Sequence, residues 1–181
     1  MKLPLAYYGH PILRKKASPV EEINEEIKQL VEDMIETMVA SNGIGIAAPQ
    51  VKRSLRIFIT QCPIPGEDEE WVEGTLRVYI NPEIISISDE GTVMEEGCLS
   101  IPKVHGDVAR PYRTVVRALD IDGNPFEIEV TGLESHCVLH ENDHINGVLF
   151  IDRMEKTARQ ELEPELRNVK KEYYLPSKKN G

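Results

Sequence analysis

The residues best equipped for chemistry are His140-Glu141-Asn142-Asp143-His144, an H-E-x-x-H sequence. On an α-helix, residues four apart share a face, about 6 Å apart along the axis. Two imidazoles at that spacing can hold one metal ion. Glu141 lies roughly 100° around from His140 and about 60° from His144. It is poorly placed as a ligand beside them, but it can reach a water on the ion and act as a general base. The alternative is a surface helix with charges at random. The flanking residues Val138, Leu139, Ile145, Val148, Leu149 and Phe150 are apolar, and polar groups inside an apolar run must be satisfied, which a metal can do.

His136 forms a second H-x-x-x-H with His140, and Cys137 is adjacent. One ion cannot take both His136 and His144, which would be about 12 Å apart along the axis. The metal is therefore assigned to His140 and His144, and His136 and Cys137 to pocket wall or core. A catalytic zinc-type site takes a third protein ligand and leaves a position for water. Cys98 is the expected third ligand: it sits in a Gly-containing bend, Glu95-Glu96-Gly97-Cys98-Leu99-Ser100-Ile101-Pro102, where a side chain can be presented inward. A thiolate with two neutral imidazoles suits Zn²⁺ or Fe²⁺. Cys137 lies about two turns from His144, and Cys62 falls in an acidic loop.

The elements that must position these groups follow from composition and periodicity. A chain of 181 residues fits one domain, residues 1–181, with a sizeable core. A formal net charge of −10 argues against a general nucleic-acid binder, and no direct nucleic-acid binding is expected. No signal-peptide core or membrane-spanning stretch is evident, so the cytoplasm is the expected compartment. Cys62, Cys98 and Cys137 do not make a disulfide framework, and in a reducing compartment a cysteine is available as a thiolate ligand.

Along the chain, residues 10–20 read as a turn-rich arm. Asn24 caps a helix running to about Ala40, with Ile27, Leu30, Val31, Met34, Ile35 and Met38 on one face. Gly43-Ile44-Gly45-Ile46-Ala47-Ala48-Pro49-Gln50 is rich in small residues. It lacks the Gly-Lys-Ser/Thr of a phosphate loop. It reads either as a helix C-cap and tight turn or as a backbone edge for an extended peptide, with Gln50 offering an amide donor. Strands are expected at 56–60 and 76–80, the latter ended by Asn81-Pro82. A hairpin is expected to pair 84–88 with 92–95 across Asp89-Glu90-Gly91, and another to pair 115–121 with 126–130 across Asp122-Gly123-Asn124. The metal helix is placed at 133–145, stopped by Asn146-Gly147. Helical periodicity resumes to about Leu175, with Pro164 opening a new helix, and residues 176–181 read as a frayed tail. The fold class is α+β: antiparallel β-sheets packed around a central metal-binding helix, with an N-terminal and a C-terminal helix.

A zinc peptidase is the rival reading. One peptidase pattern, H-E-x-x-H-x-x-G-x-x-H, matches through Gly147 but meets Phe150 at its last histidine. Another uses a downstream glutamate, for which Glu155, Glu161, Glu163 and Glu165 are available. A non-catalytic metal-binding protein is a third class.

Three separated segments, Gly43 to Gln50, Glu96-Gly97-Cys98-Leu99-Ser100 and His140 to His144, resemble in order the three motifs of the peptide deformylases. Pro11-Ile12-Leu13-Arg14 and Pro19-Val20 also look like that family. The resemblance implies a bacterial-type hydrolase that removes the N-formyl group from the initiator methionine of new polypeptides. It places the metal ligands on Cys98, His140 and His144, the acid/base on Glu141, and the oxyanion donors on the Gln50 side chain and the Leu99 backbone N–H. It implies Fe²⁺ as the usual metal, with Zn²⁺, Ni²⁺ or Co²⁺ as alternatives. Substrate is implied to lie against the backbone of Ile44, Gly45 and Gly97, with its methionine side chain near Leu133, His136 and Cys137. The partners so implied are N-formylmethionyl nascent polypeptides; Lys170, Lys171, Lys178 and Lys179 offer a transient ribosome contact, though composition alone favours a solvated tail. The chain departs from the family's common pattern at Leu139, where a glutamine is usual, at His105, where an arginine is usual, and at His136, where an aliphatic residue is usual.

Overall fold

The computed structural model describes residues 1–179. Asn24 accepts a hydrogen bond from the Ile27 N–H at 3.0 Å and so caps α1, Glu25–Ala40. Leu30, Val31, Met34 and Met38 are buried along one face of α1, with Ile27 and Ile35 packed beside them. The helix-period stripe and the cap both match the expectation.

Among the described residues nine strands follow: β1 Gly45–Ala47, β2 Ile57–Thr60, β3 Ile64–Pro65, β4 Trp71–Val72, β5 Arg77–Ile87, β6 Gly91–Cys98, β7 Ile101–Pro111, β8 Arg113–Leu119 and β9 Pro125–Thr131. A five-stranded antiparallel sheet has the order β1-β2-β5-β8-β9; β6 pairs with β7, and β3 with β4. Side chains alternate across the main sheet. Ile46, Ile57, Ile59 and Ile80 pack toward α1. Ala47, Phe58, Tyr79, Val116 and Val130 pack on the other face with Val138 and Ile145 of α2, Leu133–Ile145. Nine of the thirteen α2 residues are buried, so this helix is enclosed by sheet and hairpin. Its bounds and its Asn146-Gly147 end agree with the sequence.

Three expectations are corrected. The strand beginning at Arg77 does not end at Asn81-Pro82 but runs to Ile87, with register shifts between Ile80 and Glu83 and between Ile84 and Ser86. Asn81 absorbs the irregularity: it adopts φ 51° and its side chain exchanges two hydrogen bonds with the Val20 backbone, at 2.8 and 2.9 Å. The 84–88 and 92–95 segments do not pair with each other. Residues 84–87 pair with β8, and 92–95 pair with β7, a strand the sequence reading omitted. The third correction concerns the C-terminus. After α3, Lys156–Glu161, and α4, Glu163–Val169, which Pro164 opens in its first turn, a π-helical turn at Lys170–Tyr174 leads into α5, Leu175–Lys179. Residues 176–179 are thus helical rather than frayed; 180 and 181 of the expected tail lie outside the described residues.

The 115–121/126–130 hairpin forms as β8–β9, with Asp120 accepting from the Asp122 and Asn124 N–H groups at 2.9 Å each. Among the described residues no helix is long and apolar enough to cross a membrane.

Asn81→Ala should lower unfolding stability by about 2–4 kcal/mol, since it strands both Val20 backbone groups and leaves alanine at positive φ. Chemical denaturation at fixed metal loading checks this; a loss under about 1 kcal/mol would contradict the role given to Asn81.

Candidate functional site

Cys98 ends β6, immediately before the two-residue turn Leu99-Ser100 into β7. The register slips between the pairs Gly97–His105 and Cys98–Ile101. Cys98 Sγ lies 3.2 Å from His144 Nε2. Donor atoms of Cys98, His140 and His144 all fall within 4.8 Å of one another. Donors around a tetrahedral ion are roughly 3.5 Å apart, so one thiolate and two imidazoles at this spacing fit a divalent ion with little movement.

The electrostatics agree with a cation there. Burial lowers the pKa of His140, but its hydrogen bonds to Cys98 and Glu96 outweigh that and raise it well above the ordinary imidazole value. The anionic surroundings that retain a proton on His140 equally favour a metal in its place. Burial, with His140 beside it, holds His144 well below the ordinary value and hence neutral. His144 Nδ1 has no hydrogen-bond partner among the described residues.

Glu141 is buried, and its Oε2 also has no partner among the described residues. Burial pushes its carboxyl up to about 7, against the pull of His140. A bound cation would draw it down again. Its other oxygen sits over Gly45: a Cβ at that glycine would fall 2.5 Å from Oε1. A side chain at position 45 would therefore displace the carboxylate.

Gln50 lies within the 3₁₀ turn Ala48–Val51 that directly follows β1. Its Oε1 accepts the Ala47 N–H at 2.9 Å, which fixes the amide and turns Nε2 toward Ser100 Oγ, at 3.2 Å, and Cys98 Sγ, at 3.4 Å. The N-terminal segment laces the two motifs together: the Ala6 N–H donates to the Gln50 carbonyl and the Tyr8 N–H to the Ser100 carbonyl.

A cleft of about 500 Å³ opens over these groups. Its lining includes Ile44, Gly45, Gln50, Gly97, Cys98, Leu99, Leu133, His136, Cys137, His140 and Glu141. His105 and Lys103 of β7 stand at the same cleft. Two strand edges border it, since β1 is the outermost strand of the main sheet and β6, among the described residues, has only β7 as a partner.

His136 is outside the three-residue donor group. Its Nδ1 is 2.9 Å from Glu96 Oε2, and its Nε2 is 3.0 Å from Thr92 Oγ1. Cys137 Sγ lies 2.7 Å from Cys62 Sγ, and both are buried, so Cys62, although it opens the acidic loop, turns inward from it. The Cys62 contact and burial together push the Cys137 thiol up. None of Glu155, Glu161, Glu163 and Glu165 joins the donor group among the described residues.

Sequence reasoning missed the groups that brace the site. Glu96 accepts from Arg110 Nε at 2.7 Å and Nη2 at 3.0 Å, and it takes His140 Nδ1 at 2.8 Å. Arg110 Nη1 donates to Asp143 at 2.9 Å, and Arg153 closes on the same Asp143 at 3.0 Å. With its Nδ1 held by ionised Glu96, His140 has its Nε2 free for a metal. In the structure Val108 and Arg110 of β7 are buried two residues apart, on one face, an alternation that Pro102, Gly106 and the charges of the strand hide in the sequence.

Residues 2–160 match the family model described as polypeptide deformylase. A peptide deformylase of Chromohalobacter salexigens is 43% identical over 158 residues, covering 87% of this chain and 89% of that protein. The crystal structure of a peptide deformylase from Ehrlichia chaffeensis superposes with a TM-score of 0.87 at 34% identity, covering 97% of this chain and 99% of that one. A class I type b peptide deformylase of Acinetobacter baumannii, solved with Met-Ala-Ser bound, gives 0.79 at 38% identity, covering 85% and 99%. With its cleft, its Cys/His donor group and these relatives, the chain belongs to the polypeptide deformylase family of hydrolases.

Proposed function

We propose that the chain, as one catalytic domain, hydrolyses the formamide of N-formylmethionyl peptides, releasing formate. The observation that carries this reading is the unpartnered Glu141 Oε2 beside the Cys98, His140 and His144 donor atoms, at a cleft bordered by two strand edges. The Met-Ala-Ser bound to the Acinetobacter baumannii relative supports the substrate class.

Cys98, His140 and His144 would hold the ion, Fe²⁺ in preference to Zn²⁺, Ni²⁺ or Co²⁺. When bound, it supplies Lewis acidity that lowers the pKa of water toward neutrality. Glu141 takes the water's proton at Oε2 and passes it to the amine nitrogen as the C–N bond breaks. The Gln50 Nε2 and the Leu99 backbone N–H donate to the developing oxyanion. Such a donor is worth about 3 kcal/mol when it is fixed in advance, and the Ala47 N–H on Oε1 fixes Gln50. The peptide lies extended against the backbone at Ile44, Gly45 and Gly97, as an added strand. Its methionine side chain contacts Leu133, His136 and Cys137.

A nascent-chain substrate supports a cytoplasmic location. Lys170 stacks over the Tyr8 ring at 5.0 Å, so a ribosome contact falls to the exposed Lys171, Lys178 and Lys179.

Protein purified without oxygen should release formate from formyl-Met-Ala-Ser in proportion to its bound iron. Full metal loading with no formate would reject the reading. Glu141→Ala should retain the metal and lose about 10²–10⁴-fold in turnover; near-normal kcat in metal-loaded variant protein would remove Glu141 from the proton-transfer role.

A further inference from the structure

Cys62 and Cys137 are 75 residues apart in sequence, yet their sulfur atoms meet at 2.7 Å. A disulfide bond is about 2.05 Å long, so about 0.7 Å of closure separates the two states. Cys62 follows β2 in a strap that is held closely in place. A Cβ on buried Gly74 would lie only 1.8 Å from the Cys62 carbonyl oxygen, so the two backbones are in direct contact and admit no side chain between them. Gln61 Nε2 donates to Glu73 at 2.8 Å across the same strap. Cys137 is fixed from the other side by α2. Of the two thiols only Cys137 lines the cleft, which gives a small oxidant its way in. Neither sulfur belongs to the Cys98–His140–His144 group.

We infer that Cys62 and Cys137 form an oxidisable dithiol in the cleft wall, which a hydroperoxide closes to a disulfide and which thereby weakens substrate binding. The Cys137 sulfur attacks the peroxide and its proton passes to the leaving oxygen; the O–O bond breaks, and a sulfenic acid and water result. The neighbouring thiol attacks that sulfur, the S–O bond breaks, and water leaves. Overall, two thiols and one hydrogen peroxide give one disulfide and two waters, so the two electrons lost by sulfur are those gained by peroxide oxygen. Closure draws the Cys137 sulfur toward the strap, away from the position where a substrate side chain would contact it. The loss of binding rests on the deformylase reading; the thiol chemistry does not.

The test uses zinc-loaded protein, whose metal does not change oxidation state. It is treated with hydrogen peroxide from below one equivalent upward, alkylated, digested without reductant and mapped by mass spectrometry. The expected product is a single cross-linked pair of peptides containing Cys62 and Cys137, formed at about one peroxide per chain and reversed by dithiothreitol, with Cys98 unlinked. Cys62→Ser should release formate normally, give no cross-link, and show no effect of peroxide at these doses. Gly74→Ala, which displaces the strap, should slow cross-linking several-fold. In the linked wild type KM for formyl-Met-Ala-Ser should rise several-fold with kcat within twofold, returning on reduction. Cys62 and Cys137 remaining fully alkylatable after excess peroxide, or a cross-link to Cys98 instead, would overturn the dithiol. Unchanged KM in fully linked protein would overturn its coupling to substrate. Absence of formate release from every sample would fault the functional reading alone, because the mapping still decides the cross-link.

Discussion

One buried carboxylate holds the rest of the site together. Glu96 accepts from Nε and Nη2 of Arg110 and takes the Nδ1 atoms of His136 and His140. An unpaired carboxylate in this position would cost several kcal/mol. Burial does press its pKa upward, but hydrogen bonds from His136, His140 and Arg110 prevail and hold it far below the usual carboxylate range. Because the folded-state value is depressed, the stabilisation is complete above the unfolded carboxyl's range and is lost only as pH falls toward the folded value. The ion pair also joins three elements. Glu96 belongs to β6, Arg110 to β7, and His140 to α2, while Arg110 reaches back to Asp143 on α2. Orientation of His140 thus depends on the same contact that docks the hairpin carrying Cys98.

That dependence explains why α2 can be so polar and still central. Ser135, His136, His140, Glu141, Asp143 and His144 are all buried. Several find partners on other elements: Ser135 with Thr114 and the Pro111 carbonyl, His136 with Thr92, and Asp143 with two arginines. The two polar atoms on α2 left without partners, Glu141 Oε2 and His144 Nδ1, belong to the residues of the H-E-x-x-H sequence given chemical roles. Of these two, Glu141 Oε2 belongs to a residue that lines the cleft, where an open carboxylate oxygen can act on a water.

Much of this was legible from sequence where the signal is local. The Asn24 cap, the apolar stripe of α1, the Asn146-Gly147 stop and the Asp122-Gly123-Asn124 turn each act within a few residues, and each appears as expected. The helical spacing of His140 and His144 was likewise readable, and Cys98 does lie beside them. Non-local pairing was not readable. Asn81-Pro82 has the composition of a strand end, but Asn81 takes a left-handed conformation and bonds to Val20, sixty-one residues away, so β5 continues. The Asp89-Glu90-Gly91 signal suggested a hairpin, while the partners of its flanks lie on β8 and β7. The strand that supplies Arg110 contains Pro102, Gly106 and several charges, which hide its alternation. With β7 went the network on Glu96, and with the strap after β2 went the meeting of Cys62 and Cys137.

The proposed site is a mononuclear centre with one sulfur and two imidazole nitrogens, held by the hairpin and by α2. X-ray absorption at the metal edge of zinc-loaded protein reads that shell. One sulfur at about 2.3 Å and two imidazole nitrogens at about 2.0–2.1 Å are expected, with the rest of the shell filled by oxygen. A shell with no sulfur, or with two, would contradict it.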